Sequence, residues 1–170
     1  GRPTVLDDLP DDVRLYPVGR LDLNTSGALL VTNDGELAHR LMHPSYRVPK
    51  LYEALVEGRV SAAGLRALRD GVLLDDGPTH PAKVERLERE QPGGTWLSIE
   101  IAEGRNRQVR RMCEAIGHRV QRLHRDLAAG FVHGVGDQPV PRHLPRERQV
   151  GRLRLRPSSE VRRDPAGDAQ

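Results

Sequence analysis

Aromatic residues and cysteine are scarce in this sequence of 170 residues. Phe, Trp and Tyr together make up only 3% of the chain, so the core must be mostly aliphatic. The single cysteine, Cys113, excludes an intramolecular disulfide framework, and we therefore expect a cytoplasmic protein. No apolar run is long enough to span a membrane, and no signal peptide is recognisable. P-loop and dinucleotide-binding glycine motifs are also missing.

Lysine is rare as well, because 25 of the 27 cationic residues are arginine. A GC-rich genome would explain this bias, but a planar guanidinium also grips phosphate with two hydrogen bonds and stacks on bases. Residues 101–125 contain seven arginines and only two acidic residues, Glu103 and Glu114. This local excess of positive charge is typical of a surface that binds a polyanion. The hydrophobic content of 36% is enough for one domain with a core.

Alternating apolar residues predict the strands of the domain. Residues 51–56 and 96–101 alternate, residues 82–87 are a weaker match, and residues 120–123 also have the pattern of a strand. Residues 28–32 are continuously apolar, as in a buried strand. Because the alternating strands have one apolar side, we expect an α+β domain with a mainly antiparallel sheet and one covered face.

Capping residues and helical spacing predict helices beside this sheet. Asn33 precedes Glu36 by three residues, the spacing of a capping box, and the helix that it begins would end before Pro44. Ser61 is expected to cap a second helix that ends near Gly71.

A third predicted helix begins at Asn106 and ends at Gly117. Its apolar residues follow the spacing i, i+3, i+4, i+7 of a buried stripe: Val109, Met112, Cys113 and Ile116. Arg107, Arg110 and Arg111 occupy other positions, so this helix combines a core face with a basic face. On that stripe, Cys113 is expected to be inert core.

Residues 16–35, with the sequence YPVGRLDLNTSGALLVTNDG, place Asp22 in a loop beside Arg20. An aspartate in a glycine-flanked loop is more often a turn former or a helix cap than a catalyst. A catalytic carboxylate beside RNA must stay ionised and well aimed, which requires a cation in contact with it. Because the third helix offers such cations, we predict that Asp22 is a nucleophile.

Five separated blocks carry a resemblance to a known family, and they occur in the same order. They are GRPTVLDDLP at 1–10, YPVGRLDLNTSGALLVTNDGELAHRLMHPS at 16–45, KLY at 50–52, LLDDG at 73–77 and EGRNRQVRRMCEAIGHRVQRLHR at 103–125. Together they resemble the bacterial ribosomal pseudouridine synthases of the RsuA/RluB type. The first and fourth blocks are most similar to the large-subunit members of that type.

The resemblance implies a pseudouridine synthase catalytic domain with a central cleft, which isomerises a specific uridine in ribosomal RNA. It implies that no cofactor and no metal take part, because the base is both leaving group and re-entering nucleophile. The implied partner is ribosomal RNA or a ribosomal assembly intermediate, and the protein is expected to be a monomer. His39 and His43 have the i, i+4 spacing of metal ligands, but no third ligand motif lies nearby.

The resemblance also assigns roles to residues of the site. Asp22 matches the essential aspartate, which would attack C1′ of the sugar or C6 of the base, or assist formation of a glycal. Arg110 matches an arginine that pairs with this aspartate, although it could merely be a solvated helix residue. Tyr52 matches a tyrosine that stacks on uracil and helps remove the C5 proton, or else an ordinary strand aromatic. Val109 matches a residue that packs on the base, yet it also belongs to the core stripe.

Further residues are implied to bind the RNA. Arg20 matches the residue that fills the gap left by the flipped nucleotide, where a stacked guanidinium offsets part of the cost of opening. Four other cations are candidates for phosphate contacts: Lys50, Arg105, Arg107 and Arg111. Each of the four could also be an ordinary solvated surface charge.

The sequence departs from the family at both ends. The family usually carries an S4-type RNA-binding domain and an N-K-P-x-G strand before the GRPTV point, and neither is present. We expect a catalytic domain at 1–125, a divergent part of that domain at 126–150 and a disordered tail at 151–170. Periodicity is lost after Arg125, which suggests a shifted reading frame or a divergent replacement.

Two alternative functions are open, and the first follows from these departures. One is a truncated RNA-binding module with weak or no catalysis. The other is an arginine-rich interaction protein without any RNA role, and a steep loss of RNA binding with added salt would argue against it.

Overall fold

The computed structural model describes residue 7 and residues 14–126 of the chain. The predicted divergent segment at 126–150, apart from Asp126, and the predicted disordered tail at 151–170 lie outside these residues. The described part is an α+β structure built mainly from sheet, as predicted.

A five-stranded sheet forms the centre of the described structure. Its strands are β2 (Ser26–Gly27), β4 (Lys50–Glu57), β7 (Lys83–Arg86), β8 (Gly94–Ile101) and β9 (Val120–Asp126). They lie side by side in the order β2-β9-β4-β8-β7. The pairs β4–β8, β4–β9 and β7–β8 are antiparallel, and only β2 runs parallel to its neighbour β9. The predicted antiparallel sheet is therefore confirmed.

Two short ladders complete the strands of the described part. β1 (Tyr16–Pro17) pairs with β3 (Val31–Thr32), and β5 (Leu73–Leu74) pairs with β6 (Gly77–Pro78). The second ladder is a hairpin within the LLDDGP segment, and this segment carried no strand prediction.

Three α-helices lie among the described residues, namely α1 (Gly35–Met42), α2 (Ala62–Asp70) and α3 (Gln108–Ala115). A 3₁₀ turn at Pro44–Tyr46 follows α1. The Ser61 side chain accepts a hydrogen bond from the Gly64 backbone at the start of α2, and Gly71 follows its end, as predicted.

The core lies on the face of the sheet that packs against the helices. In β8 burial alternates residue by residue, with Leu97, Ile99 and Ile101 inside. Met112 and Cys113 of α3 are fully buried in the same cluster, so the predicted apolar stripe of this helix is confirmed.

Several predicted boundaries were wrong. Asp34, not Asn33, caps α1, because its carboxylate accepts hydrogen bonds from the backbones of Glu36 and Leu37. Asn106 does not cap α3. The cap position is Arg107, which has a left-handed backbone (φ 47°) and no side-chain capping bond.

The apolar segment 28–32 is also shorter as a strand than predicted. Only Val31 and Thr32 pair with a neighbouring strand, namely β1. The sequence before them joins the large sheet instead, through Ser26 and Gly27. The segment thus crosses from one ladder to another.

Candidate active site

A cavity of about 560 Å³ opens between the loop that contains Asp22, the end of α1, and the segment that leads into α3. Six lysine or arginine side chains and three acidic ones line it. The cations are Arg20, Arg47, Lys50, Arg105, Arg107 and Arg125, and the acids are Asp22, Glu103 and Asp126. This excess of positive charge suits an anionic ligand.

Asp22 sits on a tight turn at one wall of this cavity. The Thr25 backbone N–H donates to the Asp22 carbonyl at 2.8 Å, and the Asp22 side chain is partly buried. The turn is tied to the sheet where the Ala28 N–H donates to the Arg125 carbonyl at 2.8 Å. Gly27 makes this close approach possible, because a Cβ there would lie only 2.1 Å from the same carbonyl oxygen.

Arg110 projects from the buried side of α3 and is only 8% exposed. Its guanidinium donates to the carbonyl of Asn24 at 2.6 Å and to that of Val120 at 3.1 Å. It therefore links the Asp22 loop to the start of β9.

Electrostatic interaction connects Arg110 with Asp22, although no ion pair of 4.0 Å or less joins them in the described structure. Burial lowers the pKa of Arg110, the positive Arg107 lowers it further, and Asp22 opposes both effects. An arginine stays charged despite such a shift. The predicted direct pairing with Asp22 thus stays a prediction. The observed contact between Arg110 and the Asp22 loop is the hydrogen bond to the Asn24 carbonyl.

Tyr52 of β4 lines the cavity together with Asp22. Burial raises the pKa of the Tyr52 hydroxyl; the Arg125 guanidinium lowers it, and the Asp22 carboxylate raises it. Because the Asp22 carboxylate acts on the Tyr52 hydroxyl and both residues line the cavity, the sheet and the loop present these groups to the same space.

Arg125 is a residue of the site that the sequence analysis did not single out. It stands directly opposite Tyr52 in the β4–β9 register, so both side chains leave the same face of the sheet. Its guanidinium lies against Gly19, where a Cβ would be 3.9 Å from the nearer nitrogen. The Arg125 guanidinium makes no hydrogen bond or ion pair with other described residues, whereas its backbone carbonyl accepts from the Ala28 N–H. The strand periodicity could have indicated this position, because Arg125 follows the buried Leu123 by two residues and so lies on the same face of the sheet.

Lys50 occupies the same wall of the cavity as Arg125. Burial lowers the pKa of Lys50, and repulsion from Arg125 lowers it further. The Lys50 ammonium donates to the carbonyl of Val48 at 3.3 Å. Two cations are thus held close together without an acidic partner in the described structure, an arrangement that favours a bound anion.

The remaining predicted RNA-binding residues fall into three groups. Arg20 and Arg107 line the cavity with exposed side chains that make no ion pair with other described residues. Val109 lines the cavity and also belongs to the core, so both of its predicted roles are compatible with its position.

Arg105 and Arg111, the third group, are already engaged with the protein. Arg105 donates to the carbonyls of Gly77 and Pro78 and pairs with Glu103, while Arg111 pairs with Asp75 and Asp76. These contacts hold the β5–β6 hairpin against the start of α3.

No group of three or more His, Cys, Asp or Glu side chains able to hold a metal ion occurs within residues 14–126. Burial raises the pKa of the Cys113 thiol to about 12, and a thiol that stays protonated is unreactive. None of the described helices is long and apolar enough to cross a membrane.

Known proteins with similar sequences share one activity in their names. The family profile described as RNA pseudouridylate synthase matches residues 3–115. Ribosomal large subunit pseudouridine synthase B of Bacillus subtilis (strain 168) is 49% identical over 130 residues, which cover 74% of this chain and 52% of that protein. The protein of the same name from Escherichia coli (strain K12) is 47% identical over 148 residues, or 86% of this chain and 48% of that one. The chain thus spans about half the length of the curated relatives that it matches.

Solved structures agree with this relationship. A crystal structure of a pseudouridylate synthase, 36% identical in sequence, superposes with a TM-score of 0.60 over 65% of this chain and 47% of that chain. A structure of an H/ACA RNP bound to a substrate RNA containing 2′-deoxyuridine has a TM-score of 0.54 over 70% of this chain and 40% of that one; at 20% identity it shows a shared fold alone. The profile match covers well over half of the sequence, and this chain belongs to the RNA pseudouridylate synthase family.

Proposed function

We propose that this protein isomerises a uridine in ribosomal RNA of the large subunit to pseudouridine, in the cytoplasm. The observation that carries the proposal is the cavity in which Asp22 and Tyr52 share one space with an excess of cations. Its volume of about 560 Å³ is ample for one flipped nucleotide. The names of the relatives support the substrate, ribosomal large-subunit RNA.

In the proposed reaction the bond between C1′ and N1 breaks and a bond between C1′ and C5 forms. The C5 proton leaves and N1 gains a proton, so no oxidant, reductant or co-reactant is consumed. Asp22 provides the carboxylate for covalent or glycal-forming catalysis. Tyr52 stacks on the uracil ring and helps to remove the C5 proton.

The other residues hold the substrate or the catalyst in place. Arg110 is a positioning residue, since it reaches the Asp22 loop through the Asn24 carbonyl. Lys50 and Arg125 form a cationic wall for a phosphate of the target nucleotide, and Arg20 and Arg107 extend it to the exposed rim. Phosphate contacts of this kind position the RNA without reading its sequence. Arg105 and Arg111 are assigned a structural role, because their guanidinium groups already bind the β5–β6 hairpin.

The proposal is tested by tritium release from a large-subunit ribosomal RNA transcript labelled at C5 of uracil. Wild-type protein is expected to release tritium, and Asp22→Asn, which keeps the size of the side chain, is expected to release none. Arg66→Ala serves as the control, because this exposed arginine of α2 lies away from the cavity.

An outcome in which the wild type binds the transcript but releases no tritium would support the alternative of a binding module. Equal release by the wild type and Asp22→Asn would reject the role of the carboxylate.

A further inference from the structure

Three rings form an exposed cluster beside the proposed active site: His39, His43 and Tyr46, here called the ring cluster. The centroids of His39 and His43 are 5.0 Å apart, and Tyr46 meets each histidine edge-on with centroids 6.2 Å away. All three residues are exposed, and 52% of Tyr46 is accessible to solvent.

The backbone holds these rings in place. His39 and His43 are one helical turn apart at the end of α1. The imidazole of His43 accepts a hydrogen bond from the Ser45 N–H at 3.3 Å and so caps the 3₁₀ turn that carries Tyr46. The turn ends at Arg47, whose left-handed backbone (φ 47°) donates its N–H to the Pro44 carbonyl at 3.1 Å. The cluster is therefore preformed on ordered secondary structure.

The ring cluster is continuous with the mouth of the cavity. His43, Pro44 and Arg47 line the cavity that contains Asp22. Arg47 is exposed, and its side chain makes no ion pair with other residues of the described segment. Tyr46 belongs to the turn between Pro44 and Arg47, so the ring cluster stands at one edge of the cavity mouth.

The chemistry of the cluster fits an unpaired base. Only 3% of the chain is aromatic, yet one of its three tyrosines, Tyr46, is exposed at this rim and is not packed in the core. Tyrosine and histidine rings are surfaces on which unstacked RNA bases lie, and a nearby guanidinium binds the phosphate of the same nucleotide.

We propose that the ring cluster is a stacking site for an unpaired nucleotide next to the target uridine, with Arg47 at its phosphate. This inference rests on the proposed function for the identity of the RNA, but its binding test does not require catalysis.

The test measures binding of the full chain to two fluorescein-labelled probes by fluorescence anisotropy. One is a nonamer of uridylate, and the other is a nonamer with the same backbone and abasic sugars. Tyr46→Ala is expected to weaken binding of the uridylate roughly 5- to 150-fold, the range for loss of one stacked base. Its affinity for the abasic probe should equal that of the wild type, and Tyr46→Phe should keep full affinity for both.

Two further measurements complete the design. His39→Ala, at an exposed helical position, is a second variant in case Tyr46→Ala unfolds, and it should show the same selective loss. With labelled large-subunit RNA, ring-cluster variants should lose tritium release at low RNA concentration and regain it at saturation.

Unchanged binding of uridylate by both variants would overturn the proposal, as would an equal loss on the abasic probe. If the wild type binds the uridylate probe more tightly than the abasic probe but releases no tritium, the proposed function is rejected. The stacking site would then still be supported by the binding data.

Discussion

Replacement of Arg110 by methionine is expected to separate catalysis from RNA binding. The guanidinium donates to the carbonyls of Asn24 and Val120, and both bonds disappear in Arg110→Met. Asn24 is exposed, so water can replace its lost partner, but Val120 is only 6% exposed. A buried carbonyl without a partner costs about 1–3 kcal/mol.

The net loss of stability should be near the middle of that range, because methionine also removes the cost of burying a charge. A loss of about 2 kcal/mol lowers Tm by roughly 4–8 °C in a protein of this size. The effect on catalysis should be larger, since a displacement of a catalytic group by about 1 Å can cost about 100-fold in rate. RNA affinity should change little, because Arg110 does not line the cavity.

Thermal unfolding, single-turnover tritium release and anisotropy with labelled RNA measure these three quantities. Arg110→Lys should give intermediate values, since one ammonium cannot span both carbonyls. Arg66→Met, on the exposed side of α2, is the matched control and should resemble the wild type in all three. The reasoning is refuted if Arg110→Met keeps full release, or if it loses affinity for RNA as much as it loses rate.

Two other substitutions probe the cavity itself. Tyr52→Phe keeps the ring and removes the hydroxyl, so RNA binding should persist while tritium release falls; a full loss of binding would contradict the assigned role of the ring. Lys50→Met should raise Tm at pH 7 and weaken RNA binding, because the lowered pKa of Lys50 means that its charged form costs more in the folded than in the unfolded state. The Tm advantage should shrink as the pH rises through the lowered pKa of Lys50, and an advantage that grows with pH would show that the sign is wrong.

Local patterns were sufficient to predict the elements that have strong local signals. The alternation in β8 and the Ser61 cap of α2 both appear in the structure as predicted. The start of α3 was misplaced because no side chain caps it. The Gln108 side chain instead accepts from the Arg105 backbone at 3.1 Å and donates to Glu103. These bonds join the first residue of the helix to the segment that precedes it.

The candidate site needed information that no single segment carries. The family resemblance placed Asp22, Tyr52 and Arg110, which the fold brings to one region from three separate elements. Arg125 was missed because the strand 120–123 was predicted too short by three residues. Its register opposite Tyr52 is a long-range property, since it depends on how β9 pairs with β4.

The parallel contact between β2 and β9 has a consequence for biosynthesis. Ser26 aligns with His124, so the edge that supports the Asp22 turn is made of residues almost a hundred positions apart. A nascent chain emerges from the ribosome with its N-terminal part first, and closing a loop of this length carries an entropic cost that later contacts must offset. Until residue 125 has emerged, Gly27 has no neighbouring strand to pair with, and the turn that carries Asp22 is not held in position. The turn that carries Asp22 can therefore take up its place against the sheet only after both segments have been synthesised.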